Sequence, residues 1–174
     1  MKKSLFRFSF FNLILLLFLT VGCEKQVESE EQAKSLTDAE LLANQELDQR
    51  FNDAMDQMDI EKLMSCLWNS PDLIFVDFDG NVNRGYDNIR KVFEQFFTQF
   101  KSLSLVCDEI SHIRAGNSVF AVGTATYTMQ MKGGTSQQIT QRWSDVRGKV
   151  EGRWVYVLDH VHFLSSSNPL PRVQ

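Results

Sequence analysis

The chain has 174 residues, with 18 Lys and Arg against 22 Asp and Glu, a formal net charge of −4. An acidic chain with no basic cluster does not suit nucleic acid or an anionic membrane surface as a partner. Its three cysteines, Cys23, Cys66 and Cys107, are too few for a disulfide framework. About 43% of the residues are hydrophobic, enough to build one domain with a real core.

Lys2, Lys3 and Arg7 form a charged start, and Leu13 to Leu19 form an unbroken apolar run. Residues 1–22 read as a secretory signal peptide. Thr20-Val21-Gly22-Cys23 resembles a bacterial lipobox, which implies cleavage before Cys23 and lipidation of that cysteine. An ordinary signal or a short membrane anchor is the alternative, although the run is shorter than the roughly 20 residues a span needs. Without residues 1–22 the formal charge becomes −7, since they carry three basic residues and no acid. Residues 23–36 are polar and charged, and predict a flexible tether behind the lipidated cysteine. The expected location is therefore the cell envelope, lipid-anchored to a bacterial membrane and outside the cytoplasm. Cys66 and Cys107 read as two small buried hydrophobes, with pairing in an oxidising compartment as the alternative.

Residues 37–166 carry the predicted domain, and 167–174, with Pro169 and Pro171, a tail. Thr37-Asp-Ala-Glu40 is a capping box. Leu47, Phe51, Met55 and Met58 then recur at helical spacing as one apolar stripe. Asp59 can cap a second, shorter helix, which Asn69-Ser70-Pro71 ends. Leu73 to Phe78 predicts a short strand, followed by a turn at Asp79-Gly80-Asn81. Ile89, Phe93, Phe96, Phe97 and Phe100 mark a third helix. Strands near 102–113, 118–131, 136–147 and 153–164 follow, separated by short Gly- and Asn-bearing turns. Four such strands make an antiparallel meander. The predicted class is α+β, with three N-terminal helices packed against a curved antiparallel sheet.

The last strand is the most suggestive. Strict alternation puts Trp154, Tyr156, Leu158, His160 and His162 on one face. Such a face would line a pocket with an apolar floor and a polar mouth.

The element order resembles the nuclear transport factor 2-like superfamily, in particular its SnoaL-like and ketosteroid isomerase-like branch. The supporting residues are Asp59 between the first two helices, Pro71 to Asp77, Gly80 through Gly85 leading into Ile89, and Gly152-Arg-Trp154 followed by His160. They span residues 38–166. The resemblance implies a cone whose sheet wraps a deep pocket beneath the helices. It also implies either a binding domain or a cofactor-free isomerase, cyclase or dehydratase. Domains of this shape often dimerise through the open sheet face, so an interaction module, as a homodimer, is a third possibility.

Asp77 falls where the isomerase pattern holds its proton-moving aspartate. A carboxylate there would be desolvated, as a general base requires; a turn carboxylate facing water is the alternative. The companions of that aspartate are missing. Phe51 stands where the isomerases have a tyrosine and cannot donate a hydrogen bond. Near Trp143-Ser144-Asp145 no acid is assigned to the face of Asp77. Losing an oxyanion donor costs several kcal/mol of transition-state stabilisation, about 2.7–4, so steroid isomerisation is not expected. The expected catalytic pair is Asp77 and His160. Phe93, Phe97, Tyr127, Trp143, Tyr156 and His162 are the expected ligand contacts, with Arg142 or Gln141 at the rim. No cofactor is expected, and no metal, because His160 and His162 lack a third ligand and His112 lies before a turn. Asp77 to Asn83 fails as a calcium loop, its glycine standing fourth instead of sixth. The expected ligand is a small, largely apolar molecule.

Overall fold

A computed structural model describes residues 35–166. The expectations for the signal peptide, Cys23 and the tail, and for the tether up to residue 34, lie outside the described residues.

Helix α1 (Asp38–Gln57) opens on the capping box. The Thr37 side chain accepts from the Glu40 backbone N–H, and Glu40 accepts from the Thr37 backbone. Glu40 also meets Arg114, fastening the start of this helix to the sheet. Met58, in the left-handed region at φ 51°, ends α1. Asp59 then caps α2 (Ile60–Ser65) by accepting from the Lys62 N–H. Strands β1 (Ile74–Val76) and β2 (Val82–Arg84) flank the Asp79-Gly80-Asn81 turn. Gly85, at φ 83°, starts α3 (Tyr86–Phe97).

Four long strands complete the chain: β3 (Phe100–Ala115), β4 (Ser118–Met131), β5 (Ser136–Val150) and β6 (Arg153–Ser166). They form the antiparallel meander, in a six-stranded sheet of order β2-β1-β6-β5-β4-β3. The class is α+β, with the helices packed on a curved mixed sheet. Two details go beyond the sequence reading. β2 pairs antiparallel with β1, and β1 joins β6 in parallel, so the sheet is not purely antiparallel.

Two irregularities decide which side chains face the helices. In β3 the pairing shifts between Asp108 and Ser111, where Glu109 takes a positive φ of 54°. In β6, Leu158 pairs with Val146 but Tyr156 pairs with Arg147, which leaves Val157 as the extra residue. Each extra residue reverses the alternation beyond it. On β6, Trp154 and Tyr156 are therefore buried, then Val161, whereas His160 and His162 are exposed. The single face expected for Trp154 through His162 is two faces, and the place expected for His160 belongs to Asp159.

The core joins Leu47, Met55, Leu63 and Ile89 from the helices to Leu103, Val119, Ala121 and Trp154 from the sheet. Cys66 is buried and Cys107 half-buried, and both are free. Burial pushes both thiols up, that of Cys107 to about 11, as expected of small packed hydrophobes.

Candidate functional site

Between α1, α3 and the inner face of the sheet lies a cavity of about 290 Å³. That is near the lower end of small-molecule sites, about 300–1,000 Å³. Its walls are mainly aromatic and aliphatic. Phe51 and Met55 come from α1, Phe93 and Phe96 from α3, and Met129 and Ile139 from β4 and β5. Phe93 is held by Phe75, ring centroids 5.1 Å apart. Asp77, Asp79 and Asn81 edge the cavity, the last two exposed, so the β1–β2 turn forms its rim.

A second space of about 40 Å³ adjoins it, shared through Phe51, Tyr127, Gln141, Asp159 and Val161. Trp143, Asp145, Tyr156, Cys107 and Asp48 are among the other residues lining this annex. Gly123 pairs with Trp143, and a Cβ there would stand 2.5 Å from the indole ring. Glycine is what lets the indole lie against the sheet. The Trp143 Nε1–H is buried and without a partner among the described residues.

Asp159 stands where the two spaces meet. It pairs with Asp145 of β5 and with Phe75 of β1. Burial raises its carboxyl to about 8; the nearby Asp145 adds to the rise, while Arg147 and the His160 backbone N–H oppose it. Part of its surface still faces the cavity. Tyr127 is likewise pushed far up by burial, so its hydroxyl keeps its proton. The Gln141 side-chain N–H donates to the Tyr127 oxygen at 3.4 Å, leaving the phenolic O–H to donate elsewhere.

Behind the annex lies a buried ionic network around Arg147, whose side chain has no exposure. Its guanidinium donates twice to Asp145, at 2.8 and 2.9 Å, once to Asp48 at 2.6 Å and once to the Asn44 carbonyl at 3.1 Å. It also sits 4.9 Å from the Tyr156 ring centroid, and Tyr156 O–H donates to Asp48. His112 Nε2 lies 2.9 Å from Asp48 and 3.2 Å from Arg147. With a proton on Nε2 the ring donates to Asp48; without one it accepts from Arg147. Burial pushes Asp48 up, but His112 and Arg147 outweigh it and hold the carboxyl below its usual value. Burial moves Asp145 the other way, to about 6, against the pull of Arg147.

The expected site residues divide accordingly. Phe93, Tyr127, Trp143 and Tyr156 line the two spaces. Phe97 is half-buried against Phe93 and Phe96 and is not part of the wall. His160 and His162 point away from the cavity, for the reason given by the β6 bulge. Asp77 borders the rim, but its carboxylate closes the turn. It accepts from the backbone N–H groups of Asp79 and Asn81 and from the side chains of Asn81 and Asn83. Gln141 is buried beside Tyr127, and Arg142 is an outer-face residue 3.4 Å from Glu109.

Sequence reasoning missed Asp159, Asp145, Arg147, Asp48 and His112. Asn44 and Asp48 had a signal, since they share helical spacing with Phe51 and Met55 on the buried stripe. Asp159 had none while β6 was read without its bulge.

A helix-covered curved sheet thus encloses a mainly apolar cavity, with Asp77 and Asp79 at its rim and Asp159 at its inner end. The chain belongs to the SnoaL-like domain family, matched over residues 45–166. Among solved structures, it is similar to a proposed scytalone dehydratase from Novosphingobium aromaticivorans. The TM-score is 0.70 at 15% identity, over 77% of this chain and 90% of that one. It is also similar to a type 2 hexachlorocyclohexane dehydrochlorinase, at TM-score 0.67 and 14% identity over 78% and 91% of the two chains. A nuclear transport factor 2-like protein from Salmonella enterica gives 0.67 at 21% identity, over 75% and 96%. At these identities the likeness is one of fold. A search of curated proteins finds no match.

Proposed function

We propose that this chain is a lipid-anchored cell-envelope protein whose SnoaL-like domain binds a small, largely apolar molecule. The observation that carries the binding reading is the cavity, with mainly apolar walls and a polar end at Tyr127, Gln141 and Asp159. The apolar run, Gly22-Cys23 and the polar stretch after it support the anchor and a place outside the cytoplasm. The acidic balance argues against nucleic acid as a partner. Val106, Ile113 and Leu164, each about half exposed, support association through the outer sheet face as a homodimer.

Two measurements test this reading. Titration with naphthalene-sized hydrophobic compounds, followed by calorimetry, should give saturable binding that Phe93→Trp weakens by filling the cavity. Cys23→Ser should release the protein from membranes or leave it unprocessed. Unchanged fractionation and maturation of that variant would remove the anchor.

A catalytic reading is favoured by one observation, a carboxyl group at the cavity that burial keeps protonated near neutral pH. Such a group can serve as a general acid in a cofactor-free isomerisation, cyclisation or dehydration. Asp77 and His160, the pair expected from the sequence, are a weaker basis. Asp77 is engaged in its turn and His160 faces outward.

A further inference from the structure

Carboxyl groups line the two spaces, and no cationic side chain does. Asp77 and Asp79 stand at the rim of the larger cavity, Asp159 at its inner end, and Asp48 and Asp145 in the annex; among the described residues lining either space there is no Lys, Arg or His. These acids are not equivalent. Arg147, from behind the annex, pairs with Asp145 and Asp48. Asp77 accepts from the backbone of its own turn, and Asp79 is exposed. Asp159 forms no ion pair among the described residues, yet it faces the cavity and stands opposite Asp145. Asp48, Asp145 and Asp159 thus share one guanidinium, and the acid left over is the one a ligand reaches.

We propose that the pocket selects a lipophilic primary amine, whose ammonium group pairs with the Asp159 carboxylate while its apolar body fills the larger cavity. This inference rests on the binding reading and specifies the charge of its ligand. The ammonium supplies the cation that the third acid lacks, doing for Asp159 what Arg147 does for Asp145. Phe51 and Tyr127, which border both spaces, add aromatic rings near the charge. The exposed Asp79 at the rim favours the approach of a cation. An anionic ligand of the same shape meets carboxyl groups at both ends and no compensating cation in the walls.

The pairing requires the ionised acid. The charged and titratable groups around Asp159 are Asp145 and Arg147 on β5, Asp48 on α1, Tyr127 on β4, Cys107 and His112 on β3, Tyr156 on β6 and, at the rim, Asp77 and Asp79 after β1. Burial, with Asp145 adding to it, keeps Asp159 in its neutral form to about pH 8 in the empty pocket. Below that pH an arriving ammonium must displace the Asp159 proton, so affinity for the amine should rise as pH rises towards 8. An alkylammonium keeps its own charge to about pH 10, which leaves that window free of ligand titration.

The test uses three ligands of closely matched shape, 2-(2-naphthyl)ethylamine, 2-(2-naphthyl)ethanol and 2-naphthylacetate, which are cationic, neutral and anionic. Each is titrated calorimetrically into the full chain at pH 6.5 and pH 8.5. At pH 8.5 the amine should bind at least tenfold tighter than the alcohol, and the carboxylate should bind most weakly. At pH 6.5 the amine should lose most of its advantage, while the alcohol changes little. Asp159→Asn removes the charge and keeps the shape, and should bring the amine to the affinity of the alcohol at both pH values. An amine no tighter than the alcohol at pH 8.5, or a preference for the amine that survives Asp159→Asn, would overturn the proposal while leaving the pocket standing. Binding of none of the three would overturn both.

Discussion

Asp145 and Asp159 stand directly opposite each other on β5 and β6, yet among the described residues only Asp145 of the two is in an ion pair. Arg147 grips Asp145 with two hydrogen bonds, and Asp159 is left to the cavity. Two carboxylates so placed do not both ionise cheaply, so the one without a cation keeps its proton longer. The same pairing thus produces an ion-paired acid on one strand and a cavity-lining acid, without an ion pair among the described residues, on the next.

The first prediction follows from that asymmetry. The unfolded chain loses the Asp159 proton near its ordinary value of 3.8, whereas the folded chain holds it to about 8. Between these values the folded state binds more protons, so stability falls as pH rises. Asp145 contributes similarly up to about 6, which makes pH 6 to 8 the cleaner window for Asp159. Asp159→Asn should be more stable relative to wild type at pH 8 than at pH 6, by up to about 1.4 kcal/mol per pH unit. Urea denaturation across this range measures it. A difference between the two chains that does not change with pH would mean that Asp159 ionises normally.

Arg147 should be among the most costly positions to change. Its guanidinium is wholly buried and serves two carboxylates, a carbonyl and an aromatic ring. Arg147→Met leaves Asp48 and Asp145 buried without their cation, a loss of about 3–5 kcal/mol. Adding Asp48→Asn and Asp145→Asn should recover a large part of it. If the triple variant is no more stable than Arg147→Met, the cost lies in packing and not in stranded charge.

Much of the fold was legible in the sequence, and most of the site was not. Caps declare themselves locally, so Thr37 with Glu40 and Asp59 with Lys62 set the helix starts as expected. Likewise Gly and Asn turns marked the four long strands. The β1–β6 pairing is non-local, and its three residues carry no mark of their partner. A bulge is harder still, because one extra residue changes the side on which all later side chains fall. Val157 is such a residue, and His160 and His162 were misplaced with it. The Val157 side chain reaches over Gly148, where a Cβ would be 3.1 Å from Cγ1.

Deleting Val157 removes the extra residue, so Tyr156 and Leu158 would lie opposite Arg147 and Val146 with no bulge between them, Asp159 still inward and His160 and His162 still outward. The deletion variant should therefore fold with its cavity intact, losing about 1–2 kcal/mol with the contact over Gly148. Val157→Ala keeps the bulge and should cost about 1 kcal/mol. Failure of the deletion variant to fold, read by thermal unfolding, would show that the bend made by the bulge is itself needed to seat β6 against the helices.

Phe93 and Phe97 separate wall from support. Phe93 is 6% exposed, packs on Phe75 and faces the cavity, while Phe97 is half-buried behind it. Phe93→Ala should cost about 3 kcal/mol and alter the affinity for naphthalene-sized ligands. Phe97→Ala should cost about 1–2 kcal/mol and leave that affinity unchanged. Urea denaturation and calorimetry read the two effects separately. A larger binding change from Phe97 would move the cavity wall to the other side of α3.

Gly123 controls the annex through contact alone. A methyl group at this position would meet Trp143 Cζ2 at 2.5 Å and Cε2 at 2.8 Å, distances no packed pair tolerates. Gly123 lies in the middle of β4 and is not among the positive-φ glycines, so alanine carries no backbone penalty there. Gly123→Ala must therefore push the indole off the sheet and into the annex, at about 1–3 kcal/mol. Trp143→Phe removes the clashing part of the ring, so adding it to Gly123→Ala should make the alanine nearly neutral. A double-mutant cycle gives the coupling directly. A coupling near zero would mean that the indole does not rest on Gly123, and that the annex has a different floor.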